Sequence, residues 1–431
     1  MIPAKTLDFV GKARHALPGG WLGDLTLPDE MLLVASHGKG SRIFDVDGRE
    51  FLDLTCGGGA LILGHVHPAV VEAVRRQLEL GSTFYTLSDR SIQLAEALVE
   101  AIPCAGTVRF ASAGAEATFY TLRLARAFTG KKKILKFEGG YVGHHDYGMI
   151  SVSPPESNRP LEPRADSAGI PDELKDLVII APYNDAAHTC ALIEQHAHEL
   201  AAVLVEPVQR AIPPAPGFLE ALREATTRCG VLLAFDEVVT GFRLAYGGAQ
   251  EYYGVIPDLA AYGKAIACGY PLSAVAGRAD VMQLADPARK GSASYVYFSG
   301  TLSGNPLCCA ASLATLAELS RPGVYEKLHH FGDAFRQGAA GIFAKHGIPA
   351  QVIGAGPMFQ IFFTSDPIIN YRSQLRADRK RFETFVREMF AQGVFMSRRA
   401  KNYISTAHDE SDLDRFLTAA EAVCADGLAA A

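Results

Sequence analysis

The sequence predicts an α/β protein built on a mainly parallel sheet with helices on both faces, and three observations carry that prediction. Short apolar runs rich in β-branched residues recur at 132–137 (KKILKF), 177–182 (LVIIAP), 201–207 (AAVLVEP), 231–237 (VLLAFDE) and 272–278 (LSAVAGR). Such runs suit strands buried on both faces. Stretches with helical spacing separate most of them, which is the pattern of parallel strands joined by crossover helices. At 431 residues the chain also exceeds what one hydrophobic core usually fills, so one large domain with a smaller companion is expected.

The elements follow in order. Residues 1–60 are expected to form the N-terminal part of the smaller α+β domain, 61–305 the large domain, and 306–431 the C-terminal part of the smaller one. PAVVEAVRRQLELG (68–81) keeps Val70, Val71, Val74 and Leu78 at three-to-four spacing and stops at Gly81, so it predicts a helix. AEATFYTLRLARAFTG (115–130) predicts a second. After Asn305 an alanine-rich helix runs through 318, and helical segments at 323–346 and 374–392 bracket a short strand, MFQIFF, at 358–363. The proline-rich SVSPPESNRPLEPRADSAG (151–169) reads as a long surface loop, a lid or a subunit contact.

Composition excludes several classes of function. A net charge of −6, with no basic stripe beyond the KKK at 131–133, argues against nucleic acid as a partner. The N-terminal residues lack the apolar core of a signal peptide, and no segment is uncharged for the length a membrane span requires. The eight cysteines are scattered without a CxxC pair or a Cys/His cluster, so reduced thiols, no metal site and a cytoplasmic location are expected.

Four stretches point to chemistry. FASAGAEATFY (110–120) is a strand end, a turn of small residues and a helix start, which exposes backbone N–H groups where a phosphate binds well. The plainer alternative is that small residues let helix and sheet pack closely. FEGGYVGHHD (137–146) sets Tyr141 between glycines, where its ring can lie against a ligand or merely shield a loop. His144 and His145 have no third ligand at metal spacing, which leaves hydrogen-bonding or solvent-facing roles. Asp236 ends a buried strand in FDEVVTGFR (235–243), at the carboxyl edge where open α/β sheets bind ligands. It can hold a proton on a ring nitrogen, or simply cap the following turn. Lys264 stands alone in AAYGKAIACGYPLSA (260–274), either snorkelling or with its amine pKa lowered for Schiff-base chemistry. A phosphate, an aromatic face, a ring nitrogen and an aldehyde belong together in one ligand, pyridoxal phosphate.

The chain resembles the class III aminotransferases of the fold type I pyridoxal phosphate enzymes, in particular the branch of glutamate-1-semialdehyde aminomutase and its transaminase relatives. The likeness is carried by HALPGG (15–20), FDVDGREFLDL (44–54), ILGHVHPAVVEAV (62–74), SAGAEATFYTLRLARAFTGKKKILKFEGGYVGHHD (112–146), VEPV (205–208), FDEVVTGFR, PDLAAYGKAIACGYPLSAVAGR (257–278), SGTLSGNPLCCAA (299–311) and ISTAHDESDLDR (404–415). These run in the family's order over nearly the whole chain. The resemblance implies that Lys264 carries the cofactor as a Schiff base, that Asp236 pairs with the pyridine nitrogen, and that Val238 packs on the ring face opposite Tyr141. It implies phosphate contacts from Ala113, Gly114 and Ala115, with Glu206 near the cofactor and the substrate entrance. Thr301 would reach the phosphate of a neighbouring subunit's cofactor, which implies a homodimer and an inactive monomer.

The chain departs from the family in ways that bear on substrate. The phosphate turn reads SAGAEA in place of the commoner NSGTEA, and Val142 follows Tyr141 where histidine is usual. HALPGG continues as WLGDLTLP, without the arginine that grips a carboxylate in the aminomutases. A different basic pair stands in VFMSRRAKNYIS (394–405), where Arg399, with Arg398 beside it, matches a carboxylate-binding arginine of β-amino-acid transaminases; the plainer alternative is two solvated charges on a loop. Trp21 and Tyr270 are candidates for the wall of an apolar or aryl substrate pocket, with plain packing the alternative for either, and GGGALILGH (57–65) is similar to the aryl-glycine transaminases. The favoured expectation is therefore a dimeric aminotransferase moving an amino group from an aryl or β-amino acid to a 2-oxo acid in ping-pong fashion. Intramolecular transfer of the aminomutase type is the alternative, and a cofactor-binding protein without turnover a third.

Overall fold

A computed structural model describes residues 2–23, 26–155, 161–398, 401–426 and 428. Its central sheet has seven strands, in the spatial order Thr107–Ala111, Ser273–Gly277, Leu259–Tyr262, Leu232–Glu237, Leu200–Val205, Lys133–Phe137 and Val178–Ala181. Ser273–Gly277 runs antiparallel to both its neighbours, and the remaining pairs are parallel. All five apolar runs of the sequence fall on strands of this sheet. Leu259–Tyr262 escaped notice because its sequence, LAAY, has no β-branched residue and so lacks the usual strand signal.

Helices cover the sheet as the spacing predicted. Pro68–Leu80 and Gly114–Thr129 lie within a residue of the expected bounds. Pro306–Leu319 packs on Pro68–Leu80 and on Asp89–Ala101, which ties it to the helical layer of the large sheet. The strands Leu200–Val205 and Leu232–Glu237 are buried along their whole length, so a charged residue on either is conspicuous.

Two smaller sheets stand beside the large one. Ala35–Lys39, Arg42–Asp45 and Glu50–Asp53 form an antiparallel meander, closed by Val394–Phe395 running parallel to Glu50–Asp53. Gln351–Ile353, Met358–Phe362 and Asn402–Tyr403 form the other. A second core of phenylalanines, among them Phe335, Phe359, Phe385 and Phe416, joins these sheets to the helices Val324–Lys345, Arg379–Ala391 and Glu410–Ala425. The consequence for function is geometric. Chain from the small sheets, at Gly58 and at Lys401–Tyr403, meets the carboxyl ends of the large sheet's strands around one cavity.

Candidate active site

The cavity has a volume of about 410 Å³, and its wall includes Ala113, Gly114, Ala115, Tyr141, Glu206, Asp236, Val238 and Lys264. Asp236 and Glu237 end the same strand and therefore point to opposite sides of it. Glu237 turns away, accepting hydrogen bonds from Thr240 Oγ1 (2.5 Å), Ala249 N (2.9 Å) and Gln250 N (3.1 Å), and so fastens the next loop. Asp236 faces the cavity and accepts one hydrogen bond, from Val238 N at 3.0 Å. Burial, with the nearby charge of Glu206, pushes its pKa up to about 7, while Lys264 and Lys401 pull the other way. Lys264 follows the strand Leu259–Tyr262 and has φ +48°, a left-handed conformation that few non-glycine residues adopt. Burial lowers its amine pKa against the opposing pull of Asp236.

The small-residue turn sits where an anion would bind. The 16-residue helix Gly114–Thr129 starts at Ala113 with no side chain capping it, so its dipole and first N–H groups are directed to the cavity. Gly114 permits this closeness, because a Cβ there would come within 2.7 Å of Val238 Cγ1. Tyr141 is half-exposed, and its backbone N–H donates to Glu206 Oε2 at 2.9 Å. Thr118 joins the cavity wall and lies 3.2 Å from His145 Nε2. His145 Nδ1 accepts from Gly148 N at 3.1 Å, and burial lowers its pKa to about 4, so it works as a neutral hydrogen-bonding residue.

Several residues at the site were not singled out in the sequence. Lys136 is fully buried under the Tyr141 loop, donating to Gly148 O at 2.7 Å and Ile150 O at 2.6 Å, and burial lowers its pKa to about 7. Arg210 lines the cavity while its guanidinium donates to Gly139 O (2.9 Å) and Val152 O (2.8 Å). Arg243 donates to Val239 O and Gly59 O and lies 4.8 Å from the Tyr403 ring centroid, bracing two wall segments. Lys401 and Tyr403 also line the cavity, and Lys401 Nζ is 3.9 Å from Glu206 Oε1. A lysine inside the apolar run KILKF was a legible signal for Lys136; Lys401 was overshadowed by the arginines preceding it.

The other candidates lie apart from this cavity or outside the described residues. Arg398 does not line the cavity: it donates to Thr26 O at 2.8 Å and faces Glu383 at 3.9 Å, so its charge is satisfied in a separate crevice. Trp21 lies in an apolar hollow with Phe9, Leu22 and Leu27, where the N-terminal helix offers its ring a surface to bury against. Tyr270 packs at the edge of the main core, outside the cavity wall. Arg399 lies outside the described residues. Thr301 lies in a different, exposed crevice with Tyr85 and Gly300. Among the described residues no cluster of His, Cys, Asp or Glu suits a metal ion.

A lysine and an aspartate at the carboxyl edge of a mainly parallel sheet, facing the uncapped start of a helix, define an α/β enzyme built around a phosphorylated cofactor. The chain belongs to the class-III aminotransferases, whose family model matches residues 27–409. It is 40% identical over 423 residues to glutamate-1-semialdehyde 2,1-aminomutase 2 of Brevibacillus brevis, covering 96% of this chain and 97% of that one. Its fold is similar to that of an omega-transaminase from Sphaerobacter thermophilus, with TM-score 0.92, 35% identity, and 98% and 97% of the two chains covered. It is also similar to a β-phenylalanine aminotransferase from Variovorax paradoxus, with TM-score 0.87, 30% identity, and 98% and 94% covered. A further match over the full chain is a transaminase solved with the cofactor bound, and the cofactor of this enzyme is pyridoxal 5′-phosphate. The donor set fits it: an uncapped helix start for the phosphate, a carboxylate for the ring nitrogen and a buried amine for the aldehyde. The expected preference for an aryl or β-amino acid donor is not confirmed by these relatives, and intramolecular transfer fits the curated ones better.

Proposed function

We propose that this enzyme moves an amino group between adjacent carbons of a small carboxylate-bearing substrate, in the manner of glutamate-1-semialdehyde 2,1-aminomutase. The observation that carries the reading is 40% identity along almost the entire chain to enzymes of that name. Bound pyridoxal phosphate supplies an aldehyde that takes up amines and a ring that accepts electrons. The chain supplies the rest. Lys264 is the amine that would hold the aldehyde between turnovers and afterwards move the proton, and burial lowers its pKa from the usual amine range. Asp236 would keep the ring nitrogen protonated, Val238 and Tyr141 would flank the ring, and Ala113, Gly114 and Ala115 would hold the phosphate, all lining the one cavity. Glu206 steadies the Tyr141 loop through its hydrogen bond with Tyr141 N.

A second reading, transamination from an aryl or β-amino acid to a 2-oxo acid, is favoured by one feature of this chain. HALPGG runs on through WLGDLTLP without an arginine, and the structural relatives include an omega-transaminase and a β-phenylalanine aminotransferase. The enzyme is incubated with glutamate-1-semialdehyde and no acceptor, and separately with β-phenylalanine and a 2-oxo acid. Isomerisation in the first mixture supports the aminomutase, and amino transfer in the second alone replaces it with the transaminase. Inactivity in both sinks the two readings together.

The working unit is proposed to be a homodimer in the cytoplasm. Thr301 is exposed beside Tyr85, Leu87 and Leu302, which are 79%, 79% and 53% exposed, an apolar surface suited to a second copy. The free cysteines suit a reducing compartment. No helix of the described residues is long and apolar enough to cross a membrane.

A further inference from the structure

We infer that Lys401 is the residue that recognises the substrate carboxylate. The inference rests on the reading of a carboxylate-bearing substrate and assigns a residue to it. The basic residues among the described lining of the cavity are His144, Arg210, Lys264 and Lys401. Arg210 is committed to the carbonyls of Gly139 and Val152, Lys264 belongs to the cofactor's aldehyde, and His144 is exposed. Lys401 is what remains.

Its position suits the task. The adjoining Asn402–Tyr403 pairs with the strand Met358–Phe362, and Tyr403 N donates to Leu54 O at 2.8 Å, so the backbone beneath Lys401 is held from two sides. Its side chain is 9% exposed, and burying an ammonium group is costly unless an anion compensates it. Glu206 is the only ion-pair partner found for it among the described residues, and at 3.9 Å the pair lies beyond hydrogen-bond reach. The other oxygen of Glu206 accepts from Tyr141 N at 2.9 Å. An incoming carboxylate therefore meets a cation that Glu206 compensates only loosely. Arg210 adds positive charge nearby, which draws the anion further in; burial lowers the Lys401 pKa to about 8 against the opposing pull of Glu206, with Lys264 and Arg210 adding to the lowering, which leaves it mostly protonated at neutral pH.

The test measures binding on the cofactor-loaded enzyme, separately from turnover. Wild type, Lys401→Met and Lys401→Arg are matched for the cofactor's visible absorbance and titrated calorimetrically with 4-oxopentanoate, 3-phenylpropanoate and their uncharged amides. Loss of one charge-assisted contact should weaken carboxylate binding in Lys401→Met by roughly 10- to 100-fold, leave the amides unchanged, and be largely restored in Lys401→Arg. A Lys401→Met enzyme that keeps the wild-type preference for carboxylate over amide overturns the assignment alone. Equal losses for carboxylate and amide also overturn it, because a merely structural lysine would act on both. A wild-type enzyme with no preference for carboxylates overturns the assignment together with the substrate reading.

Discussion

Asp236 costs the cofactor-free protein stability that the bound cofactor turns to use. Its folded pKa of about 7 lies above the usual carboxylate value, so the stability linked to its proton is complete below about pH 4. That stability is lost as pH rises through 7. Asp236→Asn removes the titration, and in urea denaturation of cofactor-free protein the variant should gain on wild type by up to roughly 4 kcal/mol at pH 8 and much less at pH 4. Turnover should move the other way, falling by 100-fold or more, because a neutral amide cannot hold the ring nitrogen's proton. Lys264→Ala should abolish turnover, and borohydride treatment followed by mass spectrometry should find cofactor fixed to wild type at Lys264 and none on the variant. Both residues were legible in the sequence because each is a charge inside an apolar run. Lys401 was not, because its burial arises only when Asn402–Tyr403 joins a sheet with Met358–Phe362.

At the scale of elements, the cavity depends on a loop that is held by its own turns and by side chains from outside it. The stretch 138–152 leaves the strand Lys133–Phe137 and carries Tyr141, and its carbonyls are gathered by side chains from elsewhere: Lys136, Gln209 and Arg210. Glu138 is tied to Arg372 at 2.6 Å, linking the loop to the C-terminal part of the chain. Replacing Lys136 with Met leaves the carbonyls of Gly148 and Ile150 without that donor. The expected cost is about 2–5 kcal/mol in denaturant unfolding, with faster amide exchange concentrated in 138–152. The strand and helix that flank this loop were readable from periodicity. The loop was not, because its order comes from single hydrogen bonds between residues distant in sequence, which leave no periodic trace.

At the scale of the molecule, pairing across the chain decides what the active site contains. Val394–Phe395 lies beside Glu50–Asp53, and this contact between N- and C-terminal segments helps bring Gly58 and Lys401 to one cavity. No local pattern announces such a pairing; only the family's order of motifs implied it. The same scale holds the last prediction. Phe84, Tyr85, Leu87, Tyr297 and Leu302 are all exposed, and Tyr85 has φ +55°, a conformation that a facing surface can stabilise. If a second copy covers them, each Thr301 comes within reach of the partner's phosphate site, and cofactor affinity depends on assembly. Sedimentation of wild type should then give a dimer. Tyr85→Glu with Leu302→Glu should give monomers that release cofactor at least 10-fold more readily, since a charge buried at an interface costs several kcal/mol. Thr301→Ala should remain dimeric and lose about tenfold in cofactor affinity, the worth of one hydrogen bond to a phosphate. Monomers that bind cofactor as tightly as wild type would remove the dimer from the site, leaving the uncapped helix at Gly114 to hold the phosphate alone.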